Sequence, residues 1–485
     1  MKHYGPSLPK ELCWDMSIVE NSNDVRVQMH HPVRKNRIME CNQPWEGSCC
    51  CYAKVFFDGE KYRFYYRGAE RKEGFSSHYA HGVWCVAYSE DGKTFTRPDL
   101  GLFEFNGSKH NNIIMQIDND VIDNFSIVLD ENPNCPPEEK YKAFAGEVPP
   151  EGPRRLRYYI SADGIHFNEV DLVKASGGFD SLNICFFDER KGRYALYLRG
   201  LHNADPAHKI PFENEPHVRD VRISYSTDME NWTEPIPLDY GEADKDEIQL
   251  YTNGVMKYPE TDLYLAIPTR YIDRALDKQN FKYLSDLGGN RTIALEGKCE
   301  ERLGTAITEA MLMTSRDGEH FIRTKEAFYT PGLERPDNWA YGDGYFAVGM
   351  VETASDFEYE PNELSLYVGT YPAYKPASFE RYTIRKDGFF SYRADFAGGS
   401  LITKPFTFDG SALQINFATS ALGYLRIEIL DEQGNAIEGY DTGRLFGNSL
   451  TRPCDFAAPL SALAGKPVRF RITMQDADLY AFRFV

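Results

Sequence analysis

Between Pro44 and Gly68 the chain reads as two short strands around one turn. Residues 49–57 form an apolar run, Asp58-Gly59 is a hairpin signal, and residues 62–66 are aromatic-rich. Antiparallel pairing places the start of one strand beside the end of the next. Glu46, just before the first strand, and Arg67, just after the second, are therefore expected to face each other across one rim. The plan recurs. Further strand pairs are predicted over residues 124–147, 183–200, 252–271 and 345–371. Each unit also carries a third strand that runs into a Ser-x-Asp-Gly-x-x-aromatic turn: SEDGKTF (89–95), SADGIHF (161–167) and SRDGEHF (315–321), with a weaker STDMENW (226–232) and an echo in RKDGFF (385–390). In such a turn Asp accepts hydrogen bonds from the turn amides, Gly supplies a positive φ, and the aromatic anchors the returning strand. These residues are read as scaffold.

Five units of four short strands predict a five-bladed β-propeller. After Ser391 the repeat stops. Alternating strands with new turn signals at Asp409-Gly410 and Gln433-Gly434 run to the end of the chain and predict a β-sandwich. The expectation is thus an all-β protein with a propeller over 1–391 and a sandwich over 392–485. Propeller geometry puts the loops that enter each blade, and those between second and third strands, on one face. The long polar segments 69–80, 201–219 and 272–304 fall there, which marks that face as the functional one.

Composition narrows the choice. A chain of 485 residues exceeds one ordinary core, in keeping with two domains. The net charge of −19 repels phosphate backbones and argues against nucleic-acid binding. The 31 Tyr and 31 Phe favour strands and sugar-stacking surfaces over helix bundles. No apolar stretch is long enough to span a bilayer, and the first residues lack a signal-peptide core, so a cytoplasmic location with no membrane partner is expected. Cys49, Cys50 and Cys51 are consecutive. Neighbouring strand residues point to opposite faces, so the three cannot reach one metal; no metal and no cofactor are expected. Self-association as a homo-oligomer stays open.

With PWEG, YYRG and LYTN, the repeated S-x-D-G-x-x-F turns and the ending KPVRFRITMQDADLYAFRF, the chain resembles the invertase-like and arabinanase-like glycoside hydrolases of families 32 and 43. The resemblance covers nearly the whole chain and implies a glycosidase acting on a small carbohydrate. Invertases carry an Asn-Asp-Pro-Asn motif in the first blade and Arg-Asp-Pro in the second. This chain has neither, and offers Glu46 and Asp123-Asn124 at those two entrances.

Residues that enter the innermost strands converge on the axis: Glu46, Asp123, Asp180, Tyr251 with Asn253, and Trp339 with Asp343. Glycoside hydrolysis needs two carboxyl groups across the scissile bond, one protonated and one ionised. The assignment is Glu46 as nucleophile or base, Asp180 as general acid, and Asp123 as a modulator of the acid. Glu309, a lone carboxylate in AITEAMLMT, is the rival acid, or else the partner of Arg270 or Arg302. Arg67, Arg199 and Arg270 close the second strands of blades one, three and four. They could hold a carboxylate, sulfate or phosphate, or pair with the rim carboxylates. Tyr251 and Trp339 are candidates for stacking on a sugar ring, and Asn253 for a hydroxyl contact. Phosphate in place of water would make the same site a glycoside phosphorylase, and loss of catalysis would leave a carbohydrate-binding propeller.

Overall fold

The computed structural model describes residues 1–6, 8–71, 79–117, 122–149, 151–208, 210, 213, 215–241, 247–370 and 375–485. The protein is all-β. Among the described residues, antiparallel four-stranded sheets follow one another along the chain. The first contains Cys51–Phe57, Tyr62–Arg71, Tyr79–Ser89 and Ile113–Ile117; the second, Ile122–Leu129, Tyr141–Glu147, Arg155–Ser161 and Asn168–Leu172. The third contains Ile184–Asp188, Arg193–Asn203, His217–Ser226 and Ile236–Pro237, and the fourth Val255–Lys257, Tyr264–Ala266, Met313–Ser315 and Phe321–Arg323. In the fifth, an inner strand in two pieces, Tyr345–Phe346 and Val351–Thr353, pairs with Glu363–Thr370, which pairs with Ser378–Ile384.

The fourth strand of that last sheet comes from the other end of the chain. Val33–Glu40 pairs antiparallel with Ser378–Ile384. Its burial pattern is mostly half-exposed and charged, as suits an edge strand, so its apolar periodicity carries little signal. The ring also closes on the inside. Val55 N–H donates to Val348 O at 2.9 Å and Val348 N–H to Ala53 O at 2.8 Å, joining the inner strands of the first and fifth sheets.

The apolar cores lie between neighbouring sheets. Tyr65, Trp84, Phe125 and Ala143 fill the space between first and second, and Phe144, Leu156, Cys185 and Leu196 that between second and third. Ile223, Val255, Tyr264 and Met313 pack third on fourth; Leu265, Leu312, Leu366 and Val368 fourth on fifth; Val55, Phe64, Tyr367 and Phe379 fifth on first. A sheet covered on both faces buries both alternating sets of side chains. Tyr141–Glu147 is accordingly buried at every residue.

The Ser-x-Asp-Gly turns are built as their sequence implies. In SADGIHF, Ser161 Oγ accepts from Gly164 N–H at 3.0 Å and donates to Asp163 Oδ1 at 3.0 Å. Asp163 Oδ1 also accepts from the amides of Ile165 and His166. A further device links the sheets. Tyr65 O–H donates to Gly164 O at 3.0 Å, Tyr197 to Gly318 O at 2.9 Å, and Tyr367 to Gly92 O at 2.5 Å. Each tyrosine sits on the second strand of one sheet and clasps the turn of the next. The second sheet has Phe144 at this position, and the turn it faces is the degenerate STDMENW, with Met229 at φ 66°. Tyr197→Phe strands the buried Gly318 carbonyl and is expected to cost about 1–3 kcal/mol. Urea melts should show a lower midpoint at unchanged slope, and an unchanged midpoint would remove the clasp from the list of stabilising contacts.

The chain's last hundred residues contribute six strands to one curled nine-stranded sheet around a separate core that includes Leu413, Phe417, Ile427, Phe470, Ile472 and Phe482. Its two long strands, Leu413–Leu430 and Arg469–Phe484, lie antiparallel with a register shift between Thr419 and Tyr424. Lys10–Leu12, Val19–Asn23 and Arg26–Met29 are built into this sheet, so the first thirty residues pack with the last hundred. Among the described residues no helix is long and apolar enough to cross a membrane.

Candidate functional site

The chain enters the inner strands through strained backbone. Tyr52, Asn124, Phe179, Ser181 and Trp339 all have positive φ, between 37° and 61°, and glycines at 254 and 344 hold the corresponding places in the fourth and fifth sheets. Non-glycine residues in this region cost of order 1 kcal/mol or more each, and such outliers gather where geometry serves a site. The second-strand glycines of YYRG and KAFAGE follow from the same crossing. A Cβ on Gly68 would lie 2.8 Å from Trp45 O, and one on Gly146 would lie 2.1 Å from Phe179 O.

Asp180 stands at the entrance of the third sheet with a third of its side chain exposed. Arg199 Nη1 lies 3.7 Å from Oδ2 and Arg154 Nη1 lies 3.8 Å from Oδ1. Ser181 N–H donates to Oδ1 at 2.6 Å. Burial opposes the charge, but Arg199 and Arg154, helped by the Ser181 amide and Arg219, outweigh it and hold the carboxyl below the usual carboxylate range. Asp180 is therefore ionised at neutral pH.

A tyrosine cluster adjoins it. Tyr251 stacks on Tyr271 at 5.8 Å between ring centroids and receives a 2.5 Å hydrogen bond from Tyr341 O–H. Arg199 lies over the Tyr251 ring at 4.8 Å and also donates to its carbonyl, and Arg219 lies over Tyr271 at 4.5 Å. Arg219 hydrogen-bonds Gln249, whose amide donates to Glu213 Oε2 at 3.2 Å. Burial pushes Glu213 up to about 6, and the charges of Asp273 and Glu215 add to that against two stabilising hydrogen bonds. One network thus holds a carboxyl kept ionised and another that keeps its proton to nearly neutral pH.

Asp343, at the entrance of the fifth sheet, is buried and raised to about 7 by desolvation, although Ala340 N–H donates to it at 3.0 Å. A carboxyl whose folded pKa exceeds its unfolded value binds more protons in the folded state between the two. Its contribution to stability therefore falls as pH rises from about 4 to about 7, and is flat above. Asp343→Asn should flatten this fall, by an amount of order 2–4 kcal/mol. Thermal midpoints of both proteins from pH 5 to pH 8 check it, and parallel curves would contradict it.

The other sequence-derived positions separate. Glu46 is wholly buried, with Oε1 accepting from Arg97 Nε at 2.6 Å and Tyr66 O–H at 2.5 Å, and Oε2 from Arg97 Nη2 at 2.9 Å and Gln43 N–H at 3.0 Å. Its carboxylate thus meets Arg97, while Arg67 reaches Asn124 Oδ1 at 3.0 Å in the next sheet. Asn253 is buried and donates to Leu182 O and Tyr197 O, joining third and fourth sheets. The side chain of Asp123 lies outside the described residues; its backbone pairs with Gly146.

Arg270 and Glu309 pair with each other, Nε to Oε1 at 2.9 Å. They sit opposite one another on Thr269–Asp273 and Ala306–Ala310, a hairpin that begins where Pro268 interrupts the fourth sheet's ladder. Alternation puts Arg270, Ile272, Ile307 and Glu309 on one face, and Tyr271 and Asp273 on the other. Tyr271 faces the Asp180 network. Glu309 instead lines a cavity of about 450 Å³ on the opposite side, together with Trp339.

Sequence reading missed Arg154, Arg219 and Glu213. Arg154 and Arg219 stand at the starts of third strands, on the face already marked by its long loops, so the rule that singled out Arg67 and Arg199 could have included them. Glu213 carries no local signal within 201–219. Among the described residues no group of three His, Cys, Asp or Glu side chains is arranged to hold a metal ion.

No protein-family model matches the chain, and no curated protein sequence does. Solved structures similar to it include an N-acetylgalactosamine deacetylase from F. plautii in complex with blood group B trisaccharide, 12% identical over 74% of this chain and 95% of that one, at a TM-score of 0.45. A thermostable family-43 glycoside hydrolase is 12% identical over 73% and 96%, at 0.41. A structure from the GH130 family of mannoside phosphorylases, described as containing hydrolases of β-1,2 mannosidic linkages in Candida mannan, is 13% identical over 73% and 94%, at 0.42. Overlaps this loose carry no inference about the chemistry of the present chain.

Proposed function

We propose that the ring is a five-bladed propeller, followed by a sandwich domain over 392–485 that also takes in the N-terminal strands, and that the protein is a cytoplasmic glycosidase acting on a small oligosaccharide or glycoside at the axial rim. The observation that carries this reading is Asp180: a carboxylate one-third exposed, held ionised by two arginines, beside stacked tyrosines. Asp180 serves as nucleophile or base. Glu213, pushed up to about 6, serves as proton donor, so the two carboxyls have their pKa values driven apart as glycoside cleavage requires. Tyr341 offers its ring to the sugar, backed by Tyr251, which is buried under Tyr271 and Arg199. Glu46, with every lone-pair direction occupied by the cage around Arg97, is placed in the scaffold.

A second reading has its own observation. Arg219 forms no salt bridge among the described residues and acts on Asp180 only through its charge, and Arg154 Nη1 is buried without a hydrogen bond among them. Three guanidinium groups around one carboxylate leave positive charge for an inorganic phosphate, which would make the reaction a phosphorolysis. Incubating the protein with a panel of di- and trisaccharides, with and without phosphate, separates the two. Free reducing sugar in both conditions supports hydrolysis, and a sugar phosphate formed only with phosphate supports phosphorolysis. No cleavage of any member would remove both.

A further inference from the structure

We propose that the cavity behind the Thr269–Asp273 and Ala306–Ala310 hairpin is a second saccharide-binding site, distinct from the axial rim and suited to a neutral sugar unit. The ligand class rests on the glycosidase reading above; the existence and separateness of the site do not. The cavity's volume of about 450 Å³ falls within the ~300–1,000 Å³ typical of small-ligand sites. Its lining combines the Trp339 indole with Phe281 and Ile307 on the apolar side, and Glu309 and Asp277 on the polar side. A pyranose presents an apolar C–H face and an equator of hydroxyls, which matches an aromatic plate rimmed by carboxylates.

The site is built and not incidental. Trp339 is held at φ 59°, and its Nε1–H donates to Gly332 O at 2.9 Å, which fixes the plane of the ring. Arg291, buried, donates to Trp339 O at 2.5 Å, to Gly304 O at 3.2 Å and to Ser285 O, so one guanidinium ties the indole's backbone to both ends of the 284–304 segment. Glu309 Oε1 is engaged by Arg270, and its Oε2 has no hydrogen-bond partner among the described residues, leaving an acceptor for a hydroxyl. Arg274 neutralises Asp277 at 2.7 Å, as Arg270 neutralises Glu309. With these two arginine-paired carboxylates and a third, Glu334, in its lining, the cavity repels anions and suits a neutral ligand, in contrast to the cationic axial rim.

The experiment is a tryptophan-emission titration of Asp180→Asn with four neutral probes: cellotetraose, mannotetraose, xylotetraose and maltotetraose. The proposal expects a saturable blue shift with at least one of them, equal to that of the unsubstituted protein and weakened at least tenfold in Trp339→Ala. Should Trp339→Ala fail to fold by circular dichroism, Trp339→Phe decides: the emission change should vanish while calorimetric affinity stays within about tenfold. No shift with any tetraose, a shift that persists in the Trp339 variants, or a shift lost in Asp180→Asn would overturn the second site. Turnover of Asp180→Asn, measured separately, tests the axial reading alone.

Discussion

Asp180→Asn is expected to lower turnover of the natural glycoside by about 10²–10⁴ or more while the fold and most sugar affinity persist. Removing a general acid or base costs about 10²–10⁴ in rate, and removing a nucleophile at least as much. The fold should tolerate the change because the side chain is one-third exposed and the Ser181 N–H, 2.6 Å from Oδ1, can still donate to the amide oxygen of Asn. The arginines set the role. With Arg199 and Arg154 holding the carboxyl ionised, Asp180 cannot donate a proton near neutral pH, so an aryl glycoside with a good leaving group should not rescue Asp180→Asn. The same substrate should partly rescue Glu213→Gln, because a good leaving group needs little protonation. Activity of the unsubstituted protein should decline as pH rises past about 6, when Glu213 loses its proton. Rescue of Asp180→Asn but not of Glu213→Gln would exchange the two roles, and normal turnover by Asp180→Asn would end the axial reading.

The strands were legible because their apolar content is dense and their turns carry fixed residues. Ser161, Asp163 and Gly164 form the turn that their spacing implies, and the same holds at 89–92 and 315–318. Val33–Glu40 and the first thirty residues were not legible as partners of the far end of the chain. Pairing between distant edges leaves no periodic trace when the strand is charged and half-exposed. Within the proposed site, sequence order singled out Asp180 and Tyr251 because both precede inner strands. It could not weigh what sets the charge of Asp180, which depends on Arg199 first and then on Arg154, 26 positions away before a strand of the second sheet. Glu309 shows a different limit. Its isolation among apolar residues did signal a paired charge, and the pair is Arg270, but which face of the hairpin it occupies follows from strand register.

Glu46→Gln is expected to act on stability instead of chemistry, with a loss of about 2–4 kcal/mol. Breaking one partner of a buried ion pair costs roughly 3–5 kcal/mol because the other charge is left uncompensated. Arg97 keeps about a fifth of its side chain in solvent, which lowers that figure. Glutamine also cannot accept at all the positions where Arg97, Tyr66 and Gln43 now donate, so one buried donor must meet an NH₂ group. Denaturant melts should record the loss, and turnover per folded molecule at low temperature should stay within about twofold. The double substitution Glu46→Gln with Arg97→Met should recover part of the stability, since removing both charges leaves neither stranded. A Glu46→Gln protein as stable as its parent but catalytically dead would instead return Glu46 to the active site. The Arg97 cage would then be the device that keeps a nucleophile ionised.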